Sequence, residues 1–438
     1  MQNLAQRDMS AGNVEVLELP LNYLPARKPA ARKSLAEDLA TFQEFGQATR
    51  KLATAYVDAK GKSRDVSTFV NEFWTAKQRQ AHSLHEISYR ACFKPQLPRF
   101  FIERLTEAGE IVYDPFMGRG TTPIEAALLG RVPVGNDVNP LSVVMTRPRL
   151  NPPRLADVEE RLKEIDLNDP SDMPEDLLAF YHPETLGAIS SLKKYLLKRR
   201  QIYGLDPVDE WIELIALNRL TGHSPGFFSV YTMPPNQAVS AKSQRKINEK
   251  RKQTPPKREV AKIILKKSRI LLGDLDGSGR VTLAQVANKT KLLTHSADAT
   301  PEIESNSVAL VVTSPPFLDV VQYADDNWLR CWFLGIDAKE VNLTVPKKLE
   351  EWKVEMTKVF RELYRVLKPG GHIAFEVGEV HGGKTKLEKA VLPCGLAAGL
   401  EPVLLLINDQ KFTKTANCWG VDNNFKGTNT NRIVVFRK

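Results

Sequence analysis

The run VALVVTSPPF, residues Val308–Phe317, constrains the fold of this chain more than any other stretch. Five apolar residues lead without a break into Thr313, and a continuous Val/Leu run of this kind is typical of a strand buried on both faces of a parallel sheet. Two prolines follow, and because proline has no N–H to donate to a neighbouring strand, the strand must end there. The run therefore predicts an α/β fold in which residues 314–317 lie at the carboxyl end of a central strand, where open α/β sheets bind ligands.

The residue types at this strand end suit one kind of chemistry, the attack of an exocyclic base amine on an electrophile. Such an amine is a poor nucleophile, and fixed acceptors such as the Ser314 hydroxyl and the Pro315 carbonyl stabilise it as charge develops. The ring of Phe317, after Pro316, is placed to stack on a base that has left its duplex, at about 1–3 kcal/mol per stacked base. For the motif alone, an ordinary strand-end turn with a core phenylalanine remains the alternative.

A glycine-bearing turn upstream predicts a second site. Ile111–Tyr113 is a short apolar strand, the turn DPFMGRGTT follows, and a helix begins near Pro123. A strand, a glycine turn and a helix N-terminus together form a cradle for nucleotide-type ligands. The turn residues that this cradle would use are Asp114, Phe116, Gly118, Gly120 and Thr121.

Two acidic residues follow the next strands of the predicted sheet. Asp137 ends a strand at 132–134, where a carboxylate binds ribose hydroxyls in dinucleotide folds, and Asp298 follows the third strand, where it is placed to accept from an adenine amino group. The turn lacks the third glycine of the pyrophosphate fingerprint and the Lys-Ser/Thr of a P-loop. NAD and ATP are therefore disfavoured and a nucleoside ligand without a diphosphate is favoured, with a ligand-free α/β turn as the alternative.

The length of 438 residues predicts one large domain with insertions or two domains. Residues 1–80 are expected to form an N-terminal accessory region with helical spacing over 35–56, and residues 81–150 the first part of the core. Residues 151–290, too long for a strand crossover, are predicted to be an inserted, mainly helical subdomain. Residues 291–438 would complete the core, with strands at 403–407 and 432–436 as an antiparallel hairpin at a sheet edge and residues 417–431 as a loop over the site.

The net charge of +10 is concentrated in one segment. Residues 242–269 contain twelve Lys or Arg against Glu249 and Glu259, an excess equal to that of the whole chain. Such a concentration indicates a surface that contacts phosphates, with a solvated helical face as the alternative. The cations expected to contact nucleic acid are Lys246, Lys250, Arg251, Lys252, Lys257 and Arg258.

Other site classes are disfavoured. The four cysteines are far apart without a CxxC pair, which argues against a zinc site or a disulfide framework, and no metal is expected. The longest apolar runs are short of a membrane span, and the first residues show no signal pattern, so a cytoplasmic protein that does not contact a membrane is expected.

Taken together, the motifs DPFMGRGTT, GNDVNP and TSPPF closely resemble those of the bacterial and phage amino methyltransferases that modify DNA with S-adenosylmethionine. The resemblance implies a Rossmann-like class I methyltransferase sheet. By resemblance, Asp114, Phe116, Gly118, Gly120 and Thr121 hold the methionine part of the cofactor, Asp137 its ribose and Asp298 its adenine. The segment with Phe93 and Pro95 lines the methionine end, and Ser314, Pro315, Pro316 and Phe317 hold the target amine. The insertion falls after the second strand rather than the third, a departure from the arrangement with an internal recognition domain.

A serine before the two prolines is typical of enzymes that methylate cytosine at N4. The resemblance therefore implies direct methyl transfer to N4 of a flipped-out cytosine in double-stranded DNA, with N6 of adenine, then structured RNA, then a silent nucleic-acid-binding module as alternatives. It also implies a bacterial or phage source, a cognate restriction endonuclease as a further partner, and a monomer or homodimer.

Overall fold

The computed structural model of the chain describes residues 34–58, 60–75, 81–89, 92–170, 172–232, 238–316, 323–337, 346, 348–380, 385–409 and 430–438. Its strands are β1 (Arg50–Val57), β2 (Ser63–Asn71), β3 (Ile111–Asp114), β4 (Val132–Asn136), β5 (Lys291–Leu293), β6 (Val308–Thr313), β7 (Leu367–Val377), β8 (Glu379–Val380), β9 (Thr385–Lys386), β10 (Glu401–Asp409) and β11 (Thr430–Arg437). Its helices are α1 (Leu35–Ala40), α2 (Gln96–Leu105), α3 (Thr121–Leu128), α4 (Pro140–Leu150), α5 (Leu155–Glu164), α6 (Pro183–Ile202), α7 (Pro207–Arg219), α8 (Ala241–Arg251), α9 (Val260–Leu271), α10 (Gly277–Ala287), α11 (Tyr323–Leu334), α12 (Leu349–Val366) and α13 (Leu387–Ala397). Short 3-10 helices cover Ser83–His85 and Glu175–Ala179.

Nine of the described strands form one sheet in the order β1-β2-β10-β11-β7-β6-β3-β4-β5. The five strands β7, β6, β3, β4 and β5 run parallel to one another. The carboxyl ends of these five strands therefore lie along one edge of the sheet, and the amino end of the antiparallel β11 joins them there. The predicted Rossmann-like α/β fold is confirmed.

Strand β6 is central, as its uninterrupted apolar run predicted. All six of its residues are buried. Alternate side chains enter two cores: Val311 packs with α12 and α13 on one face of the sheet, and Leu310 and Val312 pack with α2 on the other. Burial on both faces explains why this strand has no polar side chain before Thr313.

A mainly helical segment separates β4 from β5. The helices α5 to α10 lie between these two strands in the chain, yet β4 and β5 pair in parallel through Val134–Lys291 to Asn136–Leu293. Its core is built around fully buried Trp211 and Phe228 and extends to Ile124 of α3. The segment thus packs against the first helix of the sheet domain while β5 remains in the sheet.

Two expectations about the ends of the chain are wrong. Helical structure in residues 35–56 stops at Ala40, and residues 50–71 form the hairpin β1–β2 instead, in which the Thr54 and Thr68 hydroxyls lie 2.7 Å apart. The β10–β11 hairpin is not at a sheet edge, because β2 pairs in parallel with β10. Strands β1 and β2 are therefore part of the main sheet, and Phe73 and Trp74 share a core with Phe100.

Among the described helices, none combines the length and the apolar character needed to span a bilayer.

Candidate active site

The glycine turn after β3 is held by its own backbone geometry. Gly118 and Gly120 have φ of 50° and 78°, the left-handed region in which glycine is unstrained. A Cβ at Gly120 would also lie 2.2 Å from the Thr146 hydroxyl oxygen of α4, so no larger residue fits. Gly120 caps α3 and Thr121 begins it, which aims the helix N-terminus at the space above β3.

Asp137, just after β4, binds this turn through its carboxylate. The Gly118 N–H donates to Oδ2 at 2.9 Å and the Asn139 N–H donates to Oδ1 at 2.9 Å. Burial raises the pKa of Asp137, and these hydrogen bonds oppose the rise. The predicted ribose-binding residue thus lies beside the glycine turn, on the neighbouring strand.

Asp114 connects the glycine turn with β6, the strand that leads into the predicted catalytic residues. Its Oδ1 accepts from the Thr313 hydroxyl at 2.6 Å and from the Phe116 N–H at 3.0 Å, while the buried Oδ2 has no partner among the described residues. Burial raises the pKa of Asp114 to about 7. Thr122 adds a second link, since its hydroxyl donates to the Val312 carbonyl at 3.1 Å. The two predicted sites therefore meet through direct hydrogen bonds.

Two further segments surround the turn. A Cβ at Gly118 would lie 3.7 Å from Cys92 Sγ, which puts the segment before α2 alongside the turn. Phe93 is half-buried against the α2 core and Pro95 is the buried residue before α2. Asp298, half-buried after β5, accepts from the Ser296 hydroxyl. Each predicted cofactor residue thus lies in the turn or in a segment at the same sheet edge.

Asn136, at the end of β4, ties two of these segments together and was missed in the sequence. Its Nδ2 donates to the Pro115 carbonyl at 3.3 Å and the His295 carbonyl at 3.0 Å, and its Oδ1 accepts from the His295 N–H at 2.9 Å. The signal in the sequence was an asparagine at the end of the predicted strand, directly before Asp137. In the structure this asparagine is fully buried.

At the carboxyl end of β6, Ser314 is half-buried and Pro315 is buried. The indole Nε1 of Trp352 donates to the Pro316 carbonyl at 3.2 Å, which fixes the second proline against α12. Phe317 lies outside the described residues, as does the loop expected at 417–431 apart from its last two residues.

Glu376 of β7 was not identified from the sequence, although it lies beside the predicted catalytic serine. The Ser314 hydroxyl and the Glu376 carboxylate share a hydrogen bond, and Asn431 Nδ2 of β11 donates to Glu376 Oε1 at 3.0 Å. Burial raises the pKa of Glu376, which is only 7% exposed. A glutamate inside the otherwise apolar strand HIAFEVG was the signal in the sequence.

The predicted nucleic-acid contacts lie around the end of α8 and the start of α9. Lys246, Lys250, Arg251 and Lys252 are exposed, and the Arg251 guanidinium lies 3.7 Å from the centre of the Tyr231 ring. Lys257 pairs with Glu184, and the backbone N–H of half-buried Arg258 donates to the Thr185 hydroxyl at 2.8 Å. Five of the six cations, Lys257 included, are therefore exposed to solvent, while Lys257 and Arg258 also hold the loop against α6.

The part of the chain that the structure describes contains no group of three or more His, Cys, Asp or Glu side chains that could hold a metal ion. Within that part, Cys92, Cys331 and Cys394 form no disulfide.

Residues 26–144 match a family described as DNA methylase. The type II methyltransferase M.BsoBI of Geobacillus stearothermophilus is 22% identical, over 71% of this chain and 63% of its own length. The type II methyltransferase M.MjaII of Methanocaldococcus jannaschii is 32% identical, over 17% of this chain and 14% of its own length. The chain thus spans less than two thirds of either relative. The resemblance to the DNA amino methyltransferases of restriction–modification systems is confirmed by these matches, which do not distinguish cytosine N4 from adenine N6.

Among solved structures, a TehB-like SAM-dependent methyltransferase of Corynebacterium glutamicum is 9% identical, with a TM-score of 0.29 over 78% of this chain and 86% of its own.

Proposed function

We propose that this chain transfers a methyl group from S-adenosylmethionine to the exocyclic N4 of a cytosine flipped out of double-stranded DNA. The observation that carries the proposal is the hydrogen bond between Thr313 and Asp114, which joins the strand of the SPP motif directly to the glycine turn. A donor held at that turn and a base held at Ser314 would share one edge of the sheet. Such proximity converts a bimolecular transfer into an effectively unimolecular one.

The glycine turn fits the proposed cofactor. The unpartnered Oδ2 of Asp114 is a buried acceptor for a donor group on a ligand, and Gly118 and Gly120 adopt the left-handed backbone that this turn requires. Asp137 would bind the ribose hydroxyls and Asp298 the adenine amino group, while Phe116, Thr121, Phe93 and Pro95 would line the methionine part. When bound, S-adenosylmethionine supplies a methyl electrophile on a sulfonium, which keeps the electron pair of the broken S–C bond.

At the other strand end, the chain would hold the base amine by its two hydrogens. The Ser314 hydroxyl oxygen and the Pro315 carbonyl are the acceptors, and neither proline presents a competing N–H. Acceptors fixed before the reaction stabilise the charge that develops on nitrogen without reorganising. Phe317 would stack on the base face, and the fixed position of Pro316 against Trp352 would keep this turn rigid.

The preference for cytosine N4 rests on the serine that precedes the two prolines, and adenine N6 is the first alternative. Structured RNA is the second, since the same amine chemistry applies to it. A silent nucleic-acid-binding module is the third, and the intact Ser314 and Asp114 disfavour it. A cognate endonuclease as partner, and a monomeric or dimeric state, remain proposals that follow from the resemblance.

The test is incubation of the purified chain with S-adenosylmethionine labelled in its methyl group and with unmethylated genomic DNA or structured RNA. The expected result is label in DNA, found as N4-methylcytosine after digestion to nucleosides. Label in N6-methyladenine or in RNA would select the corresponding alternative, and label in neither would overturn the proposed activity. Sequencing of the methylated DNA would then give the recognised site.

The exposed cations at the end of α8 are proposed to contact DNA phosphates. Lys246, Lys250 and Lys252 form no ion pair with any described carboxylate, so their charges are available to a polyanion. Replacing Lys250, Arg251 and Lys252 by glutamine should weaken DNA binding and reduce the slope of log K against log salt by about 0.9 per lost phosphate contact. Affinity and slope equal to those of the wild type would show that DNA binds elsewhere.

A further inference from the structure

The loop between α7 and α8 carries two aromatic rings, and an arginine stacks on each of them. The Arg251 guanidinium of α8 lies 3.7 Å from the centre of the Tyr231 ring. The guanidinium of Arg219, the last residue of α7, lies 4.0 Å from the centre of the Phe227 ring. Gly222 connects the two places, because it forms a β-bridge with Tyr231 and a Cβ on it would lie 2.4 Å from the Phe227 ring. The loop therefore continues the exposed cations of α8 as far as Arg219.

The half-buried Arg219 side chain is held in one orientation with a donor left over. Its Nε donates to the Asn218 carbonyl at 2.9 Å and its Nη2 to Asn218 Oδ1 at 2.7 Å, while the Phe227 ring supports its face. Its Nη1 has no hydrogen-bond partner among the described residues. A planar guanidinium that is already ordered in this way suits an oxyanion such as a phosphate.

Lys267 of α9 adds a second positive charge beside Arg219. It is 8% exposed, and its Nζ lies 3.4 Å from the carboxylate of the exposed Glu86. Burial and then the Arg219 charge lower the pKa of Lys267, and burial lowers the pKa of Arg219 to about 10. Among the described residues, Glu86 is the only carboxylate that forms an ion pair with either cation. Two largely desolvated positive charges thus share one exposed negative charge.

Other arginines of the same helical segment are matched by carboxylates. Arg199 of α6 is also half-buried, and it donates to Asp209 at 2.9 Å and to Asp206 at 3.1 Å. Arg161 bonds to the same two aspartates, so two arginines face two carboxylates there. The pair of Arg219 and Lys267 lacks this balance. A desolvated charge without a partner destabilises the folded protein, and an anionic ligand would supply the missing partner.

The segment before α2 joins this pair of cations to the candidate active site. Asn218, which holds Arg219, donates from Nδ2 to the Ser88 carbonyl at 3.3 Å. Arg330 of α11, the helix that follows the SPP motif, donates to the same carbonyl at 3.1 Å. Arg119 of the glycine turn donates to the Ile87 carbonyl at 2.6 Å. The two cations therefore adjoin the backbone that contacts both the glycine turn and α11.

We propose that Arg219 and Lys267 form a second phosphate-binding site, which holds the DNA backbone where it passes from the exposed cations of α8 to the base that is methylated. The proposal rests on the proposed function, because it takes DNA as the substrate. It adds two residues to the expected nucleic-acid contacts, and neither belongs to the SPP motif or the glycine turn. A phosphate placed there gains a preformed donor fork and a second positive charge.

The first experiment measures the affinity for a duplex that carries the methylated site, without cofactor and over a range of salt concentrations. We expect Arg219→Gln and Lys267→Met each to bind about 10–100-fold more weakly than the wild type, as the loss of a hydrogen bond to a charged group does. The slope of log K against log salt should fall by about 0.9 for each lost contact. The control Arg199→Gln changes the charge equally in the same helical segment and should bind as the wild type does.

Thermal unfolding without DNA separates a ligand site from a structural role. Because Lys267 is a desolvated cation with an exposed partner, Lys267→Met should have a Tm at or above that of the wild type. Arg199→Gln breaks a matched network and should have a lower Tm at unchanged DNA affinity. A lower Tm in Lys267→Met would show that the cation supports the fold and would overturn the inference.

Single neutral methylphosphonates in the duplex locate the contact. We expect one position beside the target base where the substitution weakens binding by the wild type but not by Arg219→Gln, because the variant has already lost that contact. Wild-type affinity in Arg219→Gln and Lys267→Met would overturn the inference, as would an equal loss in Arg199→Gln or the lack of such a position. A wild type that methylates no nucleic acid would instead overturn the proposed function.

Discussion

The two ends of the candidate site, the cofactor end at β3–β4 and the target end at β6–β7–β11, are built from different kinds of polar contact. At the cofactor end, the carboxylates accept mainly from backbone N–H groups: Asp137 from Gly118 and Asn139, and Asp114 from Phe116, with the Thr313 hydroxyl as a side-chain donor to Asp114. At the target end the contacts run between side chains, from Asn431 to Glu376 and between Glu376 and Ser314. Backbone donors fix a shape, whereas side-chain hydroxyls and carboxylates can exchange protons. We therefore expect one end to bind the cofactor and the other to assist the chemistry.

Loss of the Ser314 hydroxyl should have the largest effect. Ser314→Ala removes an acceptor needed only as charge develops on the amine, so we expect kcat to fall by about 100–1,000-fold, the scale seen when one oxyanion-hole donor is lost. Cofactor affinity, measured by calorimetry, should stay within about twofold, less than 0.5 kcal/mol. Loss of cofactor binding in Ser314→Ala would remove the distinction between the two ends.

Neutralising Asp137 should weaken cofactor binding and leave kcat nearly unchanged, the reverse of what is expected for Ser314→Ala. Asp137→Asn keeps the shape of the side chain but removes the charge that strengthens hydrogen bonds to ribose hydroxyls, so cofactor affinity should fall by about 10–50-fold, or roughly 1.5–2.5 kcal/mol. With saturating cofactor, kcat should approach that of the wild type. An unchanged dissociation constant would show that Asp137 only supports the turn.

The smallest effect is expected for Asp114, the residue that joins the two ends, and it concerns the free energy of unfolding. Burial raises the pKa of Asp114 in the native state to about 7 from its ordinary value of 3.8, so between these pH values the native state keeps a proton that the unfolded chain has lost. Its contribution to stability is complete below pH 3.8 and is lost as the pH rises through about 7. Between pH 5.5 and 7.5 the wild type should therefore lose about 1–2 kcal/mol of unfolding free energy relative to Asp114→Asn. Urea unfolding at both pH values measures this, and a constant difference would mean that Asp114 ionises normally.

Local patterns in the sequence were sufficient for the elements that carry both ends. The apolar run of β6 and its two prolines, the glycine turn, and the acidic residue after β4 each follow from propensity, burial on two faces or positive φ. These properties depend on neighbouring residues, and all appear in the structure at the predicted places.

Pairings between distant parts of the chain could not be obtained in that way. Because β2 pairs in parallel with β10, the terminal hairpin does not lie at the sheet edge. Residues 50–57, which have helical spacing in the sequence, form strand β1 of the hairpin β1–β2. The partners of Glu376 at positions 314 and 431 are likewise brought together only by the order of β6, β7 and β11.

By itself, the sequence determined which strands are buried, where they stop and which residue types stand at their ends. These features depend on the hydrophobic pattern and on the backbone restrictions of proline and glycine, which act over only a few neighbouring positions. Only the tertiary structure decided which of those ends are neighbours, because strand order is selected by the packing of two whole sheet faces. That selection is what gives the hydroxyl of Ser314 a buried carboxylate as its partner.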